Sequence, residues 1–117
     1  MKDWKALYNS KLTTAEEAVK LIKSGDKVVF RHDVGEPEAL IKAMVDNAAN
    51  YKDVEISHMF SLGPGEYCKP EYKDNFHPNI WFVSGQTRKA VNEWGDYTTC
   101  FFHELPELMR QGRVQVD

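Results

Sequence analysis

Directly after the apolar run at 27–30, the chain reads Arg-His-Asp-Val-Gly-Glu-Pro over residues 31–37. His32, Asp33 and Glu36 around Gly35 have the make-up of a substrate loop. Glycine lets a backbone approach a ligand closely, and the N–H groups of a helix opening at Pro37 can face an anion or an oxyanion. A polar turn with a helix cap has the same spacing, and spacing alone leaves the two readings open.

A second stretch, Ser-Gly-Gln-Thr-Arg-Lys-Ala-Val at 84–91, repeats the design of strand, glycine, polar residues and helix. Past Gly85, the side chains of Gln86, Thr87 and Arg88 can hydrogen-bond a carboxylate or phosphate, Arg88 in bidentate fashion. The alternative is a helix N-terminus with a solvated arginine. Two such loops at equivalent strand ends lie on one edge of a parallel sheet, where α/β proteins build ligand sites. Gly-Pro-Gly-Glu-Tyr-Cys at 63–68 lacks the third glycine of a dinucleotide fingerprint, and Pro64 removes a donor, so it reads as a plain loop. The four histidines show no metal-ligand spacing, and no metal site is expected. His58, inside a strand pattern, reads as a hydrogen-bonded structural histidine, and the three tryptophans read mostly as core.

The elements that must carry these loops are signalled locally. Thr13 followed by Glu16 forms a capping box before the helical spacing of Ala15, Ala18, Val19 and Ile22, with Gly25 as a left-handed stop. Residues 27–31 form a β-branched strand. Pro37 opens the next helix at its first position, with Leu40, Ile41, Met44, Val45 and Ala48 on one stripe. Strands are expected at 53–60 and 79–85, a helix at 86–94 and a short helix at 103–112. Strands alternating with helices give an α/β fold with a parallel sheet. Residues 112–117 alternate like a strand just beginning, which suggests a piece of a longer protein.

Bulk properties narrow the class. With 117 residues the chain fits one domain, and 42% apolar with 28% charged content is that of a globular protein. A net charge of −3 gives no footprint for nucleic acid or an anionic membrane. No apolar run is long enough to span a bilayer, and the amphipathic start is not a signal peptide. Two isolated cysteines make no disulfide framework. A cytoplasmic protein is expected.

Taken together, residues 11–30, 35–48, 54–67 and 82–110 resemble the N-terminal part of the acetyl-CoA hydrolase/transferase family, near its 4-hydroxybutyrate and butyrate–acetate CoA-transferases. The most specific pieces are the Gly-x-Pro turn at Gly35 and Pro37, the stretch from Phe82 to Val91, and the run from Cys100 to Pro106. The resemblance implies a Rossmann-like CoA-transferase domain over 1–117, completed by a second domain that carries a nucleophilic glutamate. No catalytic residue is then expected in this chain. His32, Gly35, Glu36, Pro37, Gly85, Gln86, Thr87 and Arg88 would bind substrate. It further implies an acyl-CoA thioester and a small carboxylate as substrates, no bound cofactor, and a homo-oligomeric whole protein. Arg31 and Asp33 depart from the family's usual small residues. A non-catalytic CoA- or acyl-binding module, or a fragment without function, is the alternative.

Overall fold

The computed structural model describes residues 3–117. Asp3 caps the first helix, α1 (Trp4–Lys11), by accepting hydrogen bonds from the Lys5 and Ala6 N–H groups. Helix α2 (Ala15–Ala18) continues as a tight turn over Val19–Leu21. Its cap is Thr14, which accepts from the Glu17 N–H, one residue later than the capping box read at Thr13. Strand β1 (Lys27–Val29) follows, then helix α3 (Glu38–Asp46), with Pro37 as its N-cap residue rather than its first turn. Strands β2 (Val54–His58) and β3 (Phe76–Ile80), helix α4 (Arg88–Glu93), strand β4 (Asp96–Tyr97) and helix α5 (Leu105–Arg110) complete the chain.

The four strands are parallel and lie in the order of the sequence, β1-β2-β3-β4. Sequential order has a consequence. Crossovers of one hand that always step the same way fall on one face of the sheet. That face carries Val28, Phe30, Val54, Ile56 and Phe76, and it packs with Val19, Ile41, Met44, Val45 and Ala90 into the main core. The opposite face must be covered otherwise. There α5 and the segment after it bring Leu105, Leu108 and Val114 against Val29, Met59 and Trp81. Lys27, Glu55 and His77, at the amino end of the sheet, stay partly exposed.

Three expectations need correction. The third strand is Phe76–Ile80, not 79–85, and it contains Pro78. A proline argues against a central strand because it cannot donate to the ladder. Here the Ile80 carbonyl accepts from Thr98 on the β4 side, so Pro78, two residues earlier, faces that side before β4 begins. Trp4 is two-thirds exposed and lies outside the core, whereas Trp81 is buried. Residues 112–117 form no strand. Asp117 nevertheless donates its N–H to the Lys27 carbonyl at 3.1 Å, and its carboxylate accepts the Lys27 N–H at 2.8 Å, along the outer edge of β1. Among the described residues, no helix is long and apolar enough to cross a membrane.

His58 ends β2 inside the core, 1% exposed, with its ring parallel to Phe30 and its Nε2 2.5 Å from the Tyr67 hydroxyl. Burial pushes the imidazole from its ordinary 6.5 down to about 4; the Glu36 charge opposes this, and His32 adds to it. Below about pH 6.5 the unfolded chain takes up a proton that the folded chain refuses until near pH 4. Stability linked to His58 is therefore fully present above the unfolded value and falls through that window, by about 3 kcal/mol in total. Urea unfolding measured between about pH 7 and pH 4 should show this loss. His58→Gln should flatten that part of the slope, and an equal slope in both proteins would refute the assignment.

Candidate active site

Three loops leave the carboxyl ends of β1, β2 and β3, and backbone hydrogen bonds keep them in register beyond the strands. Asp33 N–H donates to the Phe60 carbonyl, Trp81 N–H to His58, and Phe82 N–H to Met59. The first loop turns through Asp33, at φ +60°, a left-handed conformation that aspartate tolerates better than most residues. This turn directs Glu36 across to the second loop. There the Glu36 carboxylate accepts from the Ser61 hydroxyl at 2.9 and 3.1 Å, the Leu62 N–H at 3.1 Å and the Gly63 N–H at 3.0 Å. A Cβ on residue 63 would stand 3.1 Å from the Glu36 carboxyl group, so glycine is what lets the N–H approach. Gly65, left-handed at φ +61°, lies against Gln86, where a Cβ would come within 3.0 Å of the Gln86 Cβ. The second loop thus bridges the first to the third.

Each residue singled out in the sequence has a definite place. His32 is partly buried and meets the Phe102 ring edge-on, with centroids 5.1 Å apart; this contact brings the 100–106 segment to the first loop. Gly35 is covered by the Arg31 stem, whose Cδ lies 2.9 Å from where a Cβ would be. The Glu38 N–H donates to the Glu36 carbonyl, so α3 does not present that group to an anion. Thr87 is fully buried: its hydroxyl accepts from the Ser84 N–H at 3.0 Å and staples the third loop. Gly85, Gln86 and Arg88 are exposed on that loop, and open space surrounds Gly85.

Sequence reasoning passed over Ser61, Gly63 and Tyr67. The signal was present, since Gly-Pro-Gly follows β2 as Gly35 follows β1, but without a helix behind it the loop looked plain. Tyr67 is fully buried behind Ser61, and burial holds its hydroxyl well above the ordinary phenol range. Cys68 is likewise pushed up by burial, to about 12, so its thiol is no nucleophile near neutral pH.

The charges around this edge limit what it can do. A cavity of about 440 Å³ beside the first turn of α3 is lined by Glu36, Glu38, Lys42 and Glu66 together with Pro64 and Gly65. Lys42 is paired with Asp46, which leaves an acidic lining unsuited to a carboxylate. The open rim above the three loops is different. It joins the apolar tips Val34, Leu62, Phe82, Phe101 and Phe102, all more than half exposed, to His32, Gln86 and Arg88. An apolar rim with a few polar groups suits a small organic acid or its thioester.

Known proteins resemble this chain along its whole length. Over residues 1–117 the chain matches the acetyl-CoA hydrolase/transferase N-terminal domain. It is 47% identical over 116 residues to the 4-hydroxybutyrate coenzyme A transferase of Clostridium kluyveri, covering 98% of this chain and 27% of that protein. It is 33% identical over 104 residues to the succinyl-CoA:cyclohexane-1-carboxylate CoA transferase of Geobacter metallireducens, covering 88% and 24%. The crystal structure of RipA from Yersinia pestis superposes with a TM-score of 0.88 at 27% identity, over 99% of this chain and 30% of RipA. That of the 4-hydroxybutyrate CoA-transferase from Porphyromonas gingivalis does so with a TM-score of 0.75 at 31% identity, over 98% and 25%. The chain thus spans about a quarter of the length of the relatives it matches. With a family match along all 117 residues and this parallel α/β fold, the chain belongs to the acetyl-CoA hydrolase/transferase family.

Proposed function

We propose that this domain forms one wall of the active site of a CoA-transferase, which moves CoA from a short-chain acyl-CoA (acetyl, butyryl or 4-hydroxybutyryl) to a carboxylate. The observation that carries the reading is the Glu36 clamp, which fastens the first loop to the second beside the third. It makes a fixed, half-apolar edge. With three protein donors on it, the Glu36 carboxylate is not available for attack.

The resemblance to the CoA-transferases implies that the nucleophile is a glutamate of a second domain. Its carboxylate attacks the thioester carbonyl, the C–S bond breaks, and CoA leaves as the thiolate from a mixed acyl–glutamyl anhydride. The thiolate attacks the glutamyl carbonyl and releases the first carboxylate, leaving a glutamyl–CoA thioester. A second carboxylate attacks that thioester, re-forming a mixed anhydride and freeing the thiolate, which attacks the new acyl carbonyl, breaks its C–O bond to the glutamyl group and restores the glutamate carboxylate.

In this chain, His32, Gly85, Gln86 and Arg88 contact the acyl or carboxylate part. Gly35, Glu36, Pro37 and Thr87 act through the shape of the loops. Arg31 and Asp33 place one charge of each sign beside that path, where the aspartate opposes an incoming carboxylate and the arginine favours it. Coenzyme A enters as a substrate and not as a resident cofactor. The working protein is a cytoplasmic homo-oligomer.

The chain alone should show no exchange of CoA between butyryl-CoA and acetate. Adding the remaining C-terminal portion of the Clostridium kluyveri enzyme should restore it, with ping-pong kinetics and a CoA adduct on the added piece by mass spectrometry. Turnover by the chain alone would overturn the reading. In the restored enzyme, Glu36→Gln should lower kcat/KM by roughly tenfold or more, because charge-assisted hydrogen bonds worth about 1.5–3 kcal/mol are weakened. An unchanged kcat/KM would remove Glu36 from the site.

A further inference from the structure

Edge strands are ordinarily blunted by charge, proline or a bulge. After Lys27, the outer border of β1 instead carries Val28, Val29 and Phe30, all only partly buried. An apolar groove of about 230 Å³ runs beside them, between α2 with its tight turn and α3. Ile22, Val28, Phe30, Leu40 and Met44 line it, and no polar or charged residue does. Leu40 stays nearly half exposed there.

The backbone shows which ladder groups are open. The Asp26 carbonyl and the Phe30 N–H bond to β2, so the alternate residues, Lys27 and Val29, turn their N–H and carbonyl outward. Those of Lys27 are taken by Asp117. Those of Val29 meet no partner among the described residues.

The helices give a direction independently. Right-handed crossovers put α3 and α4 on one face while the strands step from β1 to β4, whereas α5 lies on the other face. For a parallel strand following α5, the same handedness demands a step the opposite way, past β1 and not past β4. Asp117 is already level with the first residue of β1. An antiparallel continuation would run back past Asp26 and leave the groove bare. A parallel one runs along residues 28–30 and covers it.

We propose that the outer edge of β1 and its groove are the docking site for the segment that follows Asp117 in the complete protein, a fifth strand parallel to β1. The chain covers only 27% of the Clostridium kluyveri enzyme, whose length supplies such a segment. Alternate side chains of the added strand face the groove and are aliphatic. The added strand reverses the strand order beside β1, and open α/β sheets hold ligands outside the carboxyl ends at such a reversal. The first loop, residues 31–37, leaves β1 at that point, so the loop after the added strand completes the site next to it. This consequence rests on the CoA-transferase reading; the strand itself does not.

The test extends the chain past Asp117 by the stretch of about ten residues that follows the matched region in the Clostridium kluyveri enzyme, enough for one strand. Amide exchange and inter-strand contacts are read by NMR, without CoA. The Val29 N–H should exchange at least roughly tenfold more slowly than in the unextended chain, and the extension should contact Ile22 and Leu40 in a parallel pattern. Leu40→Asp should weaken that protection. Unaltered Val29 exchange, an antiparallel pattern, or contacts to Tyr97 at the β4 edge would overturn the proposal. Should the extended chain precipitate, the extension is supplied to the labelled chain as a synthetic peptide at millimolar concentration. Shifts at Val29 and Leu40 then support the docking site, and their absence overturns it. Because no turnover is measured, a restored enzyme without transferase activity would refute the functional reading and leave the strand assignment standing.

Discussion

A carboxylate partly withdrawn from water needs donors for the oxygens it withdraws. Glu36 meets this requirement by drawing in a hydroxyl and two backbone N–H groups from a loop some 25 residues away in sequence. Much of the carboxyl edge follows from that one demand. The first loop must turn sharply at Asp33 to deliver the side chain, and residue 63 must lack a Cβ to let an N–H reach it. The Gly-Pro-Gly segment is thereby held where it presses on Gln86 of the third loop. The sheet supplies the platform, and the ionic hydrogen bonds supply the alignment.

The sheet also explains why the polar edge and the core do not compete. With strands in sequential order, the helical crossovers crowd one face, and the main core is complete without using the loops at the strand ends. The smaller cluster around Trp81, Leu105 and Val114 covers the other face only toward the loops, where His32 meets Phe102. Cover is therefore concentrated on the side of the sheet that bears the site.

How much of this was legible in the chain depended on the range of the interactions. β1, α3 and β2 are local consequences of apolar spacing, and their places follow from sequence. β3 was displaced because Pro78 looks incompatible with a strand until one knows that β4 spans only two residues beside it. β4 itself is too short to show any alternation. His32, Gly85 and Arg88 were expected on loops after strands, which are natural ligand edges, and they do lie on those loops. Ser61 and Tyr67 were not, since nothing local ties a serine at the end of one strand to a glutamate beyond another. Glu36 was recognised as part of the loop, but its role as a fastener, rather than a group offered to ligand, needed coordinates. The family resemblance rested on the order of several weak motifs and so survived these local errors.

The outer border of the sheet has a consequence for how the domain behaves in a crowd. On one side, Asp117 occupies the N–H and carbonyl of Lys27, and on the other β4 offers only Asp96 and Tyr97. A foreign strand seeking a template finds few free ladder groups on either flank. The exposed aromatic tips at the loop ends can still adhere to one another, but only through side chains. Such encounters are shallow and reversible, and they lack the backbone continuity from which fibrils grow.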